Sequence, residues 1–173
     1  LQDTAKLLDR TLLEDAALAL HQAQSVQIYG VAASAILGEY LHYKLLRLGK
    51  PAQLFSDMHR AAMTATTLSK NTLVVAISSS GSTRDLLHVV KLARKQGVHV
   101  LALSNTPRSP LASLSDIQLV AAKPEGPLSA GALNAKVGVM LLIELLTTSL
   151  IALDEKYSDV SQKTASATLP LLL

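Results

Sequence analysis

Alternating strand and helix signals constrain the fold of this chain more than any other feature of its sequence. Short apolar and β-branched runs predict five strands, and helical periodicity lies between them. Such alternation is typical of a parallel sheet covered on both faces and joined by right-handed crossovers. We predict a three-layer, doubly wound α/β fold of the flavodoxin-like kind, with strand order 2-1-3-4-5. The predicted strands are 26–30, 52–56, 72–78, 98–104 and 117–121.

Helices are predicted over most of the remaining sequence. The strand 72–78, "TLVVAIS", is continuously apolar, as expected for a strand buried on both faces. Residues 137–153 are apolar nearly all round, so we expect the helix there to be covered on both sides. This run has Glu144 near its middle and is short for a membrane span, so no membrane contact is expected. The predicted helices are 3–23, 33–48, 57–69, 82–96, a short one within 105–114, 130–153 and 154–169.

Composition excludes several classes of function. A length of 173 residues favours one domain. Aromatic residues make up only 3%, which argues against nucleic-acid binding by base stacking. The net charge is +3, and the charged residues are scattered along the sequence rather than grouped into a basic face. The chain has no cysteine, and its histidines show no metal-ligand spacing, so we predict no metal and no other cofactor.

Two loops rich in small and hydroxyl residues follow the first and third predicted strands. The first runs from Gly30 to Ser34, and the second, "SSSGST", covers 78–83. In the predicted strand order these loops are neighbours at the switch point, where doubly wound sheets bind ligands. Each loop leads into a helix N-terminus, whose unpaired N–H groups and dipole favour an anion. The pattern predicts a phosphate site.

A simpler interpretation of the second loop is an ordinary helix cap. Ser82 followed by Asp85 fits a capping-box pattern. A cap needs only one hydroxyl, however, and this loop offers five. The phosphate-binding P-loop pattern and the Rossmann glycine pattern are both absent, so a nucleotide is not favoured.

These two motifs resemble those of the SIS (sugar isomerase) domain, whose members bind phosphorylated sugars. Its S-x-S-G-x-T hallmark is matched by 78–83, and its upstream G-x-G-x-S by Gly30 and Ser34. The second glycine of that upstream pattern is Ala32 in this chain, which leaves the tightness of the first loop open. The resemblance spans about residues 20–152. It implies side-chain contacts to phosphate from Ser34, Ser78, Ser80 and Thr83, and backbone contacts from Ser79, Gly81 and Ser82.

Within the family, the chain is most similar to the effector-sensing half of RpiR/MurR-type transcriptional regulators. The similarity lies in the run from 89 to 120, with its "SNTPRSPLASLSD" segment. It implies a joining helix over 1–23, a phosphosugar-binding domain over 24–173, and a helix-turn-helix DNA-binding domain outside this chain. The leucine at position 1 agrees with a fragment of a longer protein. The resemblance further implies a cytoplasmic homodimer or higher oligomer that contacts DNA only through the missing domain.

An aldose-ketose sugar-phosphate isomerase is the alternative function. Such an enzyme needs a base that moves a proton between adjacent carbons. Glu125, after the fifth strand, and His59, after the second, are the candidates on the ligand side, and His59 could act from a neighbouring subunit. His88 and His99 are expected to be packing residues. We favour the sensor, with Glu125 as a further ligand contact, over both the isomerase and a pure interaction module.

Overall fold

The computed structural model describes residues 1–122 and 133–171 and contains one parallel sheet. Its strand order is β2-β1-β3-β4-β5, which confirms the predicted 2-1-3-4-5 arrangement. The pairing β1–β3 aligns Gly30 with Ile77, and the pairing β3–β4 aligns Ser78 with Ser104. The strands are β1 (Ser25–Gly30), β2 (Ala52–Phe55), β3 (Thr72–Ser78), β4 (His99–Ser104) and β5 (Ile117–Val120).

Helices cover both faces of the sheet. On one face, α2, α3 and α7 pack over a core that includes Leu20, Leu41 and Leu142, all fully buried. On the other face, α4, α5 and α6 enclose a second core that includes Val90 and Leu111. All seven residues of β3 are buried, as predicted for a central strand. The helices are α1 (Gln2–Leu7), α2 (Arg10–Gln22), α3 (Ala33–Arg47), α4 (Met58–Ala65), α5 (Arg84–Arg94), α6 (Pro110–Ser113), α7 (Leu133–Leu153) and α8 (Lys156–Thr168), followed by a 3₁₀ turn (Leu169–Leu171).

The N-terminal segment differs from its prediction, because 3–23 forms two helices rather than one. Leu8 is extended, and the Asp9 carboxylate accepts hydrogen bonds from the N–H groups of Thr11 (2.8 Å) and Leu12 (3.3 Å). A side chain that caps a new helix start competes with continuation of the previous helix. The segment is therefore broken at Leu8–Asp9, and α2 buries Ala16 and Leu20 in the same core as α7.

The helix after β2 is shorter than predicted, since it ends at Ala65 rather than at 69. Thr66 and Thr67 follow, and their hydroxyls donate to the carbonyls of Met63 (2.8 Å) and Thr64 (3.2 Å). β-Branched residues that bond the preceding turn are poor helix formers, which accounts for the early end.

Within the described residues, the long apolar helix is covered on one side only, so the prediction that both sides are covered stays a prediction about the assembled protein. One face of α7 is buried and includes Leu142, Leu146 and Leu150, whereas Leu133 is 73% and Met140 is 38% exposed. By length and composition α7 could cross a membrane, but its buried face forms one layer of the folded core. Apolar side chains such as Met140 therefore lie on the surface of the described part of the chain.

Glu144 on α7 is paired with two residues of α3. It accepts hydrogen bonds from the Tyr40 hydroxyl and from Lys44 Nζ (3.0 Å), both on α3. The hydrogen bond from Tyr40 holds the pKa of Glu144 below its usual value; burial opposes this shift and Lys44 reinforces it.

The pairing of Glu144 predicts that the free energy of unfolding falls as the pH is lowered. A carboxyl whose pKa is lowered by folding stabilises the protein above its unfolded-state pKa, and the stabilisation is lost as pH falls through the folded-state pKa. We therefore expect the free energy of unfolding of the native chain to fall more steeply between about pH 6 and pH 3 than that of Glu144→Gln. Urea titrations at several pH values measure this. Glu14→Gln, which removes an exposed carboxylate paired with Arg10, is the control; equal slopes for native and Glu144→Gln chains would contradict the expectation.

Candidate functional site

The carboxyl ends of β1 and β3 lie side by side in the centre of the sheet. Because Gly30 is aligned with Ile77, the loop after β1 and the loop after β3 begin at neighbouring positions. The helices that follow diverge, since α3 packs on one face of the sheet and α5 on the other. A crevice at the switch point is where doubly wound folds place their ligands.

The first loop, residues 31–34, is tight although it lacks the second glycine. A Cβ on Gly30 would lie 2.8 Å from the Ser34 carbonyl oxygen, so glycine is required there for the close approach. Ala32 adopts φ 52° and ψ −122°, a conformation that glycine normally supplies. No side chain caps α3. The turn is thus retained at the cost of strain at Ala32.

This strain predicts that Ala32→Gly stabilises the protein. A non-glycine residue in such a region costs about 1–3 kcal/mol, while glycine adds about 0.5–1 kcal/mol of unfolded-state entropy. Ala32 is exposed, so no packing is lost. We expect a net gain of about 1 kcal/mol, measured as a melting temperature about 2–4 °C higher. Ala33→Gly, inside the first turn of α3, is the control and should lower the melting temperature; an Ala32→Gly chain that melts below the native one would contradict the argument.

The second loop, 79–83, is ordered by its own hydroxyl groups; we call it the serine loop. The N–H of Gly81 donates to Ser78 Oγ (3.1 Å), and the N–H of Ser82 donates to Ser80 Oγ (3.2 Å). Ser78 Oγ also lies 3.4 Å from Thr83 Oγ1. Ser78 is buried, whereas Ser79, Ser80 and Ser82 are exposed. The loop is therefore held in one shape with several polar groups open to solvent.

Gly81 fixes the path of the serine loop. Its φ is +63°, in the left-handed region, and a Cβ there would lie 2.2 Å from Ser109 Oγ and 2.6 Å from Ser109 Cβ. The Gly81 carbonyl accepts a hydrogen bond from the N–H of Leu111 (3.0 Å). The segment after β4 therefore packs directly on the serine loop, and only glycine fits between them.

The capping-box alternative is wrong. The N-cap of α5 is Thr83 rather than Ser82, and no side chain caps this helix. The Ser82 hydroxyl instead donates to the Ser80 carbonyl (3.3 Å). Within residues 1–122 and 133–171, no hydrogen-bond acceptor meets the N–H groups of Ser79, Ser80 or Thr83. These donors, together with the free first turn of α5, can receive an anion.

Ser34 and the serine loop therefore lie at the same edge of the sheet, whereas the other two predicted ligand contacts have different outcomes. Glu125 falls outside the described residues. His59 is exposed at the start of α4, where the Asp57 side chain accepts from its N–H (2.8 Å). His59, Asp85 and His88 line a cleft of about 270 Å³ between α4 and α5. His59 thus lies near the first turn of α5 but makes no contact with the serine loop in the described part of the chain.

The expectation that His88 and His99 are packing residues is wrong. Both side chains are exposed. His88 lies on the solvent side of α5, facing the cleft with His59, because the buried face of α5 is formed by Leu86, Val89 and Val90. His99 is the first residue of β4, where the strand has not yet entered the core.

Sequence reasoning did not identify Asn105 as a residue that supports the serine loop. It directly follows β4, is buried, and donates its backbone N–H to the Ser79 carbonyl (3.1 Å). The sequence signal was the Ser104-Asn105 pair at the end of the fourth strand, which lies in the segment similar to RpiR/MurR-type regulators but indicates no chemistry by itself. Its side-chain contacts depend on segments that are distant in the chain and could not be read from local spacing.

The fold and the two loops at its switch point are those of a phosphate-binding class of α/β domain. A parallel sheet whose switch point carries an uncapped, hydroxyl-rich helix start is suited to bind phosphate groups. The SIS domain family matches residues 19–149, and the chain therefore belongs to this family. The predicted resemblance is confirmed.

The chain is also similar to solved structures and to curated relatives. The Vibrio vulnificus NanR protein complexed with ManNAc-6P has a TM-score of 0.95 and 48% identity, over 99% of this chain and 66% of that one. The sugar isomerase domain of an RpiR transcription factor from Sphaerobacter thermophilus, at 24% identity and TM-score 0.85, shows the same fold over 96% of this chain and 92% of that one. The HTH-type transcriptional regulator RpiR of Escherichia coli K12 is 27% identical over 152 residues, which are 88% of this chain and 51% of that protein.

The curated relatives are HTH-type transcriptional regulators. A regulator of the HTH type from Haemophilus influenzae is 27% identical over 173 residues, which are 100% of this chain and 59% of that protein. The chain thus spans between about half and two thirds of the length of NanR and of the two curated regulators. What the relatives do as whole proteins involves sequence that this chain does not contain.

Proposed function

We propose that this chain is the phosphosugar-sensing effector domain of an RpiR-type transcriptional regulator. The observation that carries the proposal is the serine loop at the switch point, where the N–H groups of Ser79, Ser80 and Thr83 meet no acceptor within residues 1–122 and 133–171 and no side chain caps the helix start. The 48% identity to NanR complexed with ManNAc-6P supports a phosphorylated sugar, and ManNAc-6P in particular, as the ligand.

In this proposal the phosphate sits between the two loops. Ser78, Ser80, Thr83 and Ser34 donate hydroxyl groups, and Ser79, Gly81 and Ser82 contribute the backbone of the serine loop. Each hydrogen bond to a charged group contributes about 1.5–3 kcal/mol. Four or five of them, after binding costs of several kcal/mol, are consistent with a dissociation constant near micromolar, about −8 kcal/mol. Gly30 and His59 are secondary contacts, and Glu125 contacts the sugar.

The proposed whole protein is a cytoplasmic homodimer that binds DNA through a helix-turn-helix domain N-terminal to this chain. The segment 1–23 joins the two domains. Support for dimerisation comes from exposed apolar residues on neighbouring helices, namely Ile36 (67% exposed) and Leu46 (62%) on α3 and Met140 (38%) on α7. Exposed apolar side chains on two helices that pack against each other favour an interface there. A subunit docked there could bring His59 to the site of its partner.

Calorimetry and thermal-shift measurements test the ligand. We expect ManNAc-6P at about 100 times its dissociation constant to stabilise the chain by about 2.7 kcal/mol, which raises the melting temperature by about 5–10 °C. Unphosphorylated ManNAc should have no effect. The rise in melting temperature with glucosamine 6-phosphate and with inorganic phosphate, compared with that for ManNAc-6P, measures how much the sugar contributes. Stabilisation by ManNAc equal to that by ManNAc-6P would refute the phosphate site.

The isomerase alternative has less support, because the curated relatives named above are regulators. Incubation of the chain with fructose 6-phosphate, followed by NMR, distinguishes the two functions. A sensor leaves the ketose unchanged. Turnover that is lost in Glu125→Ala or His59→Ala would replace the sensor with an enzyme.

A further inference from the structure

The segment that follows β4 contacts both the serine loop and the residues that follow the edge strand β5. Its centre is Asn105, which is 5% exposed. Resting on the proposed function, we infer that Asn105 is a positioning residue that couples ligand binding at the serine loop to the placement of α1, the helix that begins this chain.

Asn105 and its neighbour hold the first residue of the serine loop. The Ser79 carbonyl accepts two hydrogen bonds, from the N–H of Asn105 (3.1 Å) and from Thr106 Oγ1 (3.0 Å). Ser79 also presents one of the N–H groups that are free to receive an anion. A ligand that pulls on the N–H of Ser79 therefore acts on a peptide segment anchored to Asn105.

The side-chain amide of Asn105 donates to three backbone carbonyls, two just after β5 and one in α7. Nδ2 lies 3.3 Å from the oxygens of Ala121 and Ala122, just after β5, and 3.2 Å from that of Ala135 in α7. A primary amide is suited to this position, because it offers two N–H donors and no charge. An aspartate of the same shape would place negative charge against three carbonyl oxygens.

The next contact reaches α1. The N–H of Ala122 donates to Thr4 Oγ1 (3.1 Å), and Thr4 is 1% exposed. On the other side, a Cβ on Gly138 would lie 3.0 Å both from Thr4 Oγ1 and from Ala121 Cβ. Thr4 is therefore packed between the residues after β5 and the start of α7. A continuous set of hydrogen bonds runs from Ser79 through Asn105 and Ala122 to Thr4.

These contacts make the position of α1 dependent on the serine loop. Buried, close-packed groups shift between discrete arrangements more readily than they deform continuously. A ligand that binds one arrangement of the serine loop better than another therefore biases Asn105, the 121–122 segment and α1 together. In the proposed regulator, α1 lies toward the DNA-binding domain, so this linkage would carry the signal.

Hydrogen exchange of the 173-residue chain with and without ManNAc-6P tests the coupling. In the native chain, ManNAc-6P should slow exchange in 78–86 and also change exchange at Ala5 and Leu8 of the N-terminal helix by at least about fivefold, the lower end of typical coupling. In Asn105→Ala, the ligand should still protect 78–86 but should leave 4–8 unchanged. Gln118→Ala is the matched control; its side-chain amide bridges Ser104 and Thr106 (2.8 and 3.0 Å) but does not reach α1, so the response at 4–8 should persist.

A second variant tests Thr4, the last residue in the hydrogen-bonded series from Ser79. Thr4→Val keeps the side-chain shape and removes the acceptor for Ala122, so it should also abolish the response at 4–8 while leaving sugar-phosphate affinity within about threefold. This variant keeps the test decisive if Asn105→Ala fails to fold. A response at 4–8 that survives in Asn105→Ala or in Thr4→Val overturns the inference, as does a native chain in which the ligand protects only 78–86.

Failure of the proposed function has a different signature. If the native chain binds no sugar phosphate, the ligand assignment is wrong, and the coupling is then measured without ligand. Ser78→Ala perturbs the serine loop directly and should speed exchange at 4–8 in the native background but not in the Asn105→Ala background. Equal exchange at 4–8 in all four chains would refute the coupling independently of any ligand.

Discussion

Replacing Gly81 with alanine is expected to abolish sugar-phosphate binding and to lower the melting temperature by about 5–10 °C. The new methyl group would meet Ser109 at 2.2–2.6 Å, and φ of +63° is unfavourable for alanine. Overpacking costs about 1–3 kcal/mol, and backbone strain adds about 1–2 kcal/mol. The serine loop can relieve this only by moving, which would displace its N–H donors. Calorimetry with ManNAc-6P and thermal unfolding measure the two effects.

Two further variants separate the causes of the Gly81→Ala effect. Gly97 has φ +76°, but its nearest neighbour is a Lys70 side-chain atom 3.9 Å away. Gly97→Ala should therefore show the backbone strain alone and bind normally. The double variant Gly81→Ala/Ser109→Gly removes the clash but not the strain, and should recover part of the stability. Native affinity in Gly81→Ala would show that the loop geometry is not needed for binding.

Ser78→Ala is expected to weaken ManNAc-6P binding by about 10- to 100-fold. One charge-assisted hydrogen bond contributes about 1.5–3 kcal/mol, and each 1.4 kcal/mol is tenfold. The substitution also leaves the N–H of Gly81 without its 3.1 Å acceptor, which costs about 1–3 kcal/mol of stability. Titration calorimetry gives the affinity, and urea unfolding gives the stability.

Ser104→Ala is the matched control for Ser78→Ala. Ser104 is the register partner of Ser78 at the end of β4 and is fully buried. Its hydroxyl bonds Thr106 and Gln118 rather than the serine loop. We expect a similar loss of stability with little change in affinity. Equal losses of affinity in both variants would mean that Ser78 acts through general stability and not through the ligand.

Local patterns in the sequence were sufficient for the fold. The continuous apolar run 72–78, the alternation of strands with helices, and the glycine- and serine-rich strand ends predicted the sheet order and the two loops at its switch point. These features are local because hydrophobic periodicity and turn chemistry act over a few residues. The same local reasoning failed at Asp9, where a side-chain cap breaks a helix, and at His88 and His99, which are exposed rather than packed.

The residue pattern was enough to predict a doubly wound sheet with hydroxyl groups and a glycine where such sheets bind ligands. The three-dimensional arrangement was needed to show that no side chain caps the helix after the serine loop, that Gly81 packs against Ser109, and that Asn105 links Ser79 to Thr4. The cause of this difference is separation along the chain. Propensity and periodicity are set by neighbouring residues, whereas the occupancy of a buried hydrogen-bond donor depends on segments as far apart as Thr4 and Ala122.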